Sequence, residues 1–277
     1  MIPLNPMLGL GKTLIKNRLF SSPLPLDLIS ASSAVAYSLR KLRSAYTGSA
    51  IRVRRSSDNA ELDIGFTTQG DLDTASLLTH VGVGDGFVTT WYDQSGNGRH
   101  ATKTISTVQQ PKIVSSGAVV TENGKPYIDF NENLGLIAEN YNATLSFSLT
   151  LLRSETTVFS QYHTVCDGIH PLRAGGIVQQ YNTTIHNNVY PLGVWKNGTP
   201  LTLPFDLAPI TSPLQVSIQH FLSLETRPKI CIGNYDGGPF GGAVRQPEVI
   251  VFSSEISITD RQAIERNQGG YYGIAVL

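Results

Sequence analysis

Short runs of β-branched and aromatic residues, separated by turn residues, recur along most of the chain. Ile51-Arg52-Val53-Arg54-Arg55 alternates apolar and charged side chains with the period of two that is typical of a strand with one solvated face. Gly, Asn, Asp and Pro lie between such runs and favour tight reversals. Strands are predicted near residues 87–92, 112–120, 126–130, 134–138, 144–152, 156–162, 175–181, 191–196, 214–223, 228–233 and 243–253. This pattern predicts an all-β protein.

Three short helices are expected at the periphery. Apolar residues recur at i, i+4, i+7 and i+11 from Val35, which predicts a helix over residues 34–46 with a basic outer face. A second helix is predicted over residues 71–78. Near the C-terminus, a capping box that starts at Thr259 predicts a helix that ends at Gly269.

The composition excludes some classes of function. The 277 residues include 21 basic and 21 acidic side chains, and only 15% of the residues are charged. A chain with no net charge and no long basic run has little attraction for a phosphate backbone, so no nucleic-acid partner is expected. No run of about 18 uninterrupted apolar residues occurs, so no membrane span is expected.

Residues 1–30 differ in composition from the rest of the chain. They contain four prolines, a basic patch and few β-branched residues, which disfavours both a strand ladder and a long helix. They are therefore predicted to form an extended arm, and residues 31–277 a single β-sandwich. Such an arm is either disordered or becomes ordered against another subunit, and in the second case it is expected to act as an anchor.

A turn with recognisable chemistry follows the strand near residues 87–92. Asp93, Ser95 and Asn97 supply side-chain oxygens at alternate positions, as in a tight reversal. The same spacing matches the first ligands of a Ca²⁺ loop, but Thr104 stands where that loop has its Glu. A structural turn is the main interpretation and bound Ca²⁺ is the alternative. No other metal or cofactor is predicted.

Several loops combine aromatic rings with amides or carboxylates, which is the chemistry of sugar recognition. Aromatic rings stack on sugar faces and the polar groups bond the hydroxyls, usually from loops at one end of a sandwich. Asn and Tyr are also common in ordinary turns, which is the alternative explanation. The candidate carbohydrate-binding residues are Tyr181, Asn187, Tyr190, Trp195, Tyr235 and Asp236.

Two segments resemble a known family. The first is Trp-Tyr-Asp-Gln-Ser-Gly-Asn-Gly-Arg-His at residues 91–100, and the second is Pro-Tyr-Ile-Asp-Phe at residues 126–130. They resemble concanavalin A-like, laminin-G-like jelly rolls, in particular the catalytic domain of fungal α-L-arabinofuranosidase B and a group of bacteriophage virion proteins. The resemblance implies an antiparallel β-sandwich of the concanavalin A-like jelly-roll type, with short peripheral helices near the N- and C-termini.

The resemblance also permits a comparison of catalytic residues. Glycoside hydrolysis usually needs two carboxyl groups. The family places its acid/base Asp after an Ile-Gly-Gly-Asp-Asn strand end; here Tyr235 stands at that position and Asp236 follows one residue later. The family's nucleophilic Glu lies upstream, and residues 156–224 contain no Glu. Because the chain departs from the family at both catalytic positions, it is expected to have no enzymatic activity and no catalytic residue.

Two cysteines, Cys166 and Cys231, match neither a zinc motif nor a disulfide framework. They are predicted to be buried thiols of a protein that folds in a reducing cytoplasm. With the arm, they favour a non-catalytic bacteriophage virion structural protein of the capsid, head fibre or tail, assembled in the host cytoplasm. It is expected to be homo-oligomeric, to contact other virion proteins through residues 1–30 and to bind host or environmental glycans. The alternatives are a carbohydrate-binding module and an arabinofuranosidase-like glycoside hydrolase.

Overall fold

Most of the sandwich is defined in a computed structural model of the chain. The structure describes residues 23–103, 107–130, 134–139, 146–154, 163–166, 171–173, 189–200, 214–222, 229–233, 244–252 and 254–277. The strands are β1 (Ser33–Ser38), β2 (Ile51–Arg55), β3 (Glu61–Ile64), β4 (Gly86–Trp91), β5 (Ala101–Thr102), β6 (Lys112–Ser115), β7 (Ala118–Val119), β8 (Thr121–Glu122), β9 (Lys125–Pro126), β10 (Ile128–Phe130), β11 (Leu136–Glu139), β12 (Ser146–Ser154), β13 (His163–Cys166), β14 (Pro171–Arg173), β15 (Val189–Lys196), β16 (Thr199–Pro200), β17 (Leu214–Leu222), β18 (Lys229–Ile232) and β19 (Val244–Phe252). The helices are α1 (Thr74–Val81) and α2 (Ile258–Tyr272), with 3₁₀ turns at Pro25–Asp27 and Thr107–Gln109.

The strands build the two layers of an antiparallel sandwich. In one layer β19 pairs on one edge with β12 and on the other with β1 and β10, and β12 continues to β17, β15 and β16. In the other layer β4 pairs with β2 on one side and with β5 on the other. Strand β2 also pairs with β3. From β5 the layer continues in the order β11, β18, β13 and β14. Strand β6 pairs with both β10 and β4 and so connects the layers. The predicted all-β sandwich is confirmed.

The main core lies between the two layers. Val35 and Tyr37 of β1 lie in one fully buried cluster with Val249 and Val251 of β19. The rings of Tyr37 and Trp91 pack with their centroids 5.7 Å apart. Opposite-layer residues complete the cluster: Val53, Val88, Leu136, Ala138, Ile230 and Ile232. Burial of this apolar area is the main force that holds the layers together.

Strand β1 is buried on both faces, because α2 covers the side that points away from the core. Ala36 of β1 lies in a second buried cluster with Ile250, Phe252 and Ile264. A strand buried on both faces lacks polar alternation, so it cannot be recognised by a period of two. The helix predicted over residues 34–46 was therefore wrong: its first residues form β1.

The two α-helices are close to the predicted positions, but their caps differ. Helix α1 begins after Asp73, whose carboxylate accepts a hydrogen bond from the Ser76 amide at 3.0 Å. Helix α2 begins after Ser257, whose hydroxyl accepts from the Asp260 amide at 3.0 Å. The predicted cap at Thr259 was thus two residues late, and the helix continues past Gly269 to Tyr272.

Residues 23–30 pack on the sandwich of their own chain. The Leu26 amide donates to the Leu42 carbonyl at 3.0 Å, and Leu26 and Ile29 contact the cluster beneath α2. Residues 1–22 and the strands predicted at 156–162 and 175–181 lie outside the described residues. The division into arm and sandwich therefore stays a prediction. No helix in the described ranges has the length and apolar character needed to cross a membrane.

Candidate functional site

The turn after β4 protects the free edge of β1. The Asp93 carboxylate accepts hydrogen bonds from the amides of Ala36 (2.9 Å), Ser95 (2.9 Å) and Arg99 (3.1 Å) and from the Ser95 hydroxyl (2.7 Å). Asn97 Nδ2 donates to the Ala34 carbonyl at 2.9 Å. Both oxygens of the buried Asp93 thus have protein donors, which favours the structural turn over the Ca²⁺ loop. The described residues contain no cluster of three or more His, Cys, Asp or Glu side chains suited to a metal ion.

Gln94 extends the same attachment beyond the end of β1. Its side chain is fully buried; Oε1 accepts from the Leu42 amide at 2.8 Å, and Nε2 donates to the carbonyls of Ser38 (3.1 Å) and Arg40 (2.9 Å). The Gln94 side chain thus satisfies backbone groups of residues 38–42, as a neighbouring strand would. Sequence analysis missed this role, because a lone Gln in a turn carries no signal of its distant partners.

A polar cleft of about 440 Å³ lies between this turn and residues 26–34. Its polar lining consists of Arg43, Arg99, Asn97 and the serines at positions 30, 32, 33 and 95. Nη1 of Arg43 donates to the Ser95 carbonyl, whereas its Nε is buried without a hydrogen-bond partner. No Asp or Glu lines this cleft, so it lacks the acid and base that glycoside hydrolysis needs.

The second region of interest is the end of the sandwich where β18 stops. Gly233 follows β18 with a φ of +86°, and a Cβ there would collide with the Phe130 ring and lie 2.8 Å from the Leu134 carbonyl oxygen. Glycine is therefore required at this position. Two segments adjoin this contact along the chain, residues 131–133 before Leu134 and residues 234–240 after Gly233. Tyr235 and Asp236 belong to the second segment and lie outside the described residues.

The other predicted sugar-binding residues are spread over the chain. Tyr181 and Asn187 lie outside the described residues, and Tyr190 lies in β15, opposite Phe221 of β17. Trp195 is half-buried in β15, with the Arg261 guanidinium 4.0 Å from its ring centroid. One face of that indole is thus occupied by a cation–π contact and cannot stack on a sugar.

A buried carboxylate binds α2 to the sheet. Glu248 accepts hydrogen bonds from the Ser38 hydroxyl (2.9 Å), Arg40 Nε (2.7 Å), Gln268 Nε2 (3.0 Å) and the Tyr272 hydroxyl (3.2 Å). Burial opposes the charge of Arg40, but the attraction and hydrogen bond of Glu248 exceed that effect, so the pKa of Arg40 lies above its ordinary value. These donors satisfy the buried carboxylate and give it a structural role.

Part of the chain matches the model of a known family. Residues 28–126 match the family model of the alpha-L-arabinofuranosidase B catalytic domain. The match contains the Asp93 turn and almost all of the polar cleft. No curated protein matches the sequence of the chain.

Solved structures with a similar fold include arabinofuranosidases. A GH54 α-L-arabinofuranosidase soaked with a cyclic sulfate inhibitor has a TM-score of 0.58 and 15% identity, over 85% of this chain and 62% of that one. An arabinofuranosidase complexed with arabinofuranosyl-alpha-1,2-xylobiose has a TM-score of 0.59 and 14% identity, over 88% of this chain and 64% of that one. The chain therefore spans less than two thirds of their length, and at this identity the similarity establishes the fold.

These comparisons overturn part of the sequence-based prediction. The family model and the similar structures belong to glycoside hydrolases, and none of these matches leads to a virion protein. The predictions of a bacteriophage structural protein, of a virion location and of a chain that is not an enzyme were wrong. The resemblance to the arabinofuranosidase B jelly roll is supported, whereas the resemblance to phage proteins is not. Homo-oligomerisation, glycan binding and the absence of a nucleic-acid partner stay predictions.

Proposed function

We propose that this chain is an arabinofuranosidase-like glycoside hydrolase domain. The observation that carries the proposal is the family match over residues 28–126. It is supported by the fold similarity over 85 to 88% of the chain. The matched range includes the turn of Asp93 and Gln94, which is built into the fold through its hydrogen bonds to Ala36 and Leu42.

The proposed substrates are α-L-arabinofuranosides. Structurally similar enzymes were studied with 4-nitrophenyl α-L-arabinofuranoside, in a Glu-to-Gln mutant, and with arabinofuranosyl-alpha-1,2-xylobiose. Both compounds carry a terminal arabinofuranosyl group, so cleavage of the bond to that group is the reaction that we propose for this chain.

Two carboxyl groups belong to the segments that adjoin Gly233. Asp236 follows Gly233 by three residues, and Glu132 precedes Leu134 by two. We propose this pair as the acid and the second carboxyl of the reaction, since hydrolysis requires two carboxyl groups and these two adjoin Leu134 and Gly233 in sequence.

In the sequence, Asp236 lies one residue after the position of the family's acid/base Asp, which argued against a catalytic role for Asp236. The end of β18 weakens that argument. Side chains alternate with a period of two only within a strand, and β18 ends at Ile232. The positive φ of Gly233 breaks the extended backbone at that point. The direction of the Asp236 side chain therefore does not follow from counting residues along β18.

The test is release of nitrophenolate from 4-nitrophenyl α-L-arabinofuranoside. Asp236→Asn and Glu132→Gln should each lower kcat/KM by at least about a hundredfold, the usual contribution of a general acid or base. Asp58→Asn and Glu61→Gln make the same chemical changes at exposed positions near the β2–β3 turn and should leave it unchanged. A wild-type chain that releases nothing above the enzyme-free rate would contradict the proposed activity. Wild-type activity in both site variants would contradict the assignment of the carboxyls.

A further inference from the structure

The two cysteines of the chain are cross-strand partners. Strands β13 and β18 are antiparallel, and their register pairs Cys166 with Cys231 and Val165 with Ile232. Residues directly opposite each other in antiparallel strands have Cα atoms about 4.5 to 5.5 Å apart and share a face of the sheet. Disulfides join Cα atoms about 4.4 to 6.8 Å apart. The register alone therefore places the two cysteines at disulfide distance, although their separation in sequence gave no indication of it.

We propose that Cys166 and Cys231 form an intramolecular disulfide that joins β13 to β18. With a small-molecule disulfide such as oxidised glutathione as the oxidant, one cysteine thiolate attacks it and releases one molecule of reduced thiol. The second cysteine then attacks the mixed disulfide and releases another. The two protein thiols lose two electrons and two protons, which the two released thiols carry away.

The position of the bond gives it a structural consequence. Strand β13 pairs with β14 on one edge, and the β13–β18 pairing comprises only two residue pairs. The disulfide would therefore fasten the β13–β14 hairpin covalently to β18, one residue pair from the strand end that leads to Gly233. A disulfide between residues 166 and 231 also restricts the unfolded chain, which raises the free energy of unfolding.

The test is peptide mapping of the full chain after equilibration with oxidised and reduced glutathione. Digestion without reductant should yield one cross-linked peptide pair that contains Cys166 and Cys231, lighter than the two free peptides by two hydrogen atoms. Oxidation should raise the midpoint of thermal unfolding by at least about 5 °C. Cys166→Ser and Cys231→Ser, which are close in size to the native residue, should each abolish the cross-link and the shift.

Two outcomes would overturn the proposal. One is complete alkylation of both thiols after equilibration with excess oxidised glutathione, and the other is cysteine cross-links found only between two chains. Both readouts are independent of hydrolytic activity, so they remain decisive whichever way the arabinofuranoside assay ends.

Discussion

Asp93 holds the edge of β1 through a single carboxylate. Asp93→Ala would remove the acceptor for the amides of Ala36, Ser95 and Arg99, so the free energy of unfolding should fall by about 3 to 5 kcal/mol, as expected when several buried donors lose their partner. Urea denaturation measures this change. Asn97→Ala, at an exposed position of the same turn, should cost about 1 kcal/mol or less. Equal unfolding midpoints for the two variants would contradict the role given to Asp93. A lower unfolding midpoint of the wild-type chain in the presence of a chelator would favour the Ca²⁺ loop.

Single residues were predictable from sequence only where their partners are local. Ser95 bonds the Asp93 carboxylate and accepts from the Asn97 amide within its own turn, so the turn was recognisable from composition. Glu248 accepts from Ser38 and Arg40, more than 200 residues away in sequence, and no local pattern reports such a contact. Trp195 had the chemistry of a sugar platform, but the fold sets Arg261 against its ring.

At the scale of elements, the strands with one solvated face were predicted best. Ile51–Arg55 was predicted to the residue because its alternation is visible in the sequence. Ser33–Ser38 was predicted as a helix because a strand covered on both sides has an apolar run with no alternation. Helix α2 lacks a clear apolar stripe, since polar residues such as Gln268 and Glu265 face the sheet. It was predicted from a capping box at Thr259 and a glycine stop, although the structure places the cap at Ser257.

The cap of α2 provides a direct test of this interpretation. Ser257→Ala should lower the free energy of unfolding by about 1 kcal/mol, because the Asp260 amide loses its acceptor at the helix start. Thr259→Ala should have a smaller effect, since Thr259 is exposed and lies inside the helix, where Ala is the better helix former. Chemical denaturation of the two variants makes the comparison. A larger loss for Thr259→Ala would restore the capping box that the sequence suggested.

At the scale of the whole molecule, tyrosines couple stability to alkaline pH. Burial, with nearby carboxylates, raises the pKa of Tyr46 and Tyr92 to about 12 and the pKa of Tyr271 and Tyr272 above the usual range. In the unfolded chain these groups ionise near pH 10. The unfolded state therefore loses protons first, so stability is complete below about pH 10 and falls as the pH rises towards the folded-state values.

Urea midpoints measured between about pH 8 and 11 should decline above about pH 10. Tyr92→Phe removes one contributing group, together with its 2.7 Å hydrogen bond to Asp63, and should make the decline shallower. A flat profile through this range would contradict the raised pKa values.

The family match covers residues 28–126, whereas the carboxyls proposed for catalysis adjoin Leu134 and Gly233 in sequence. The whole account therefore depends on whether the assembled sandwich cleaves an arabinofuranosyl bond. The most direct measurement is proton NMR of arabinofuranosyl-alpha-1,2-xylobiose incubated with the chain, with Asp236→Asn as the control. The account predicts that signals of free arabinose and xylobiose grow with time in the wild-type sample and not in the variant. A trisaccharide that remains intact with the folded wild-type chain would contradict it.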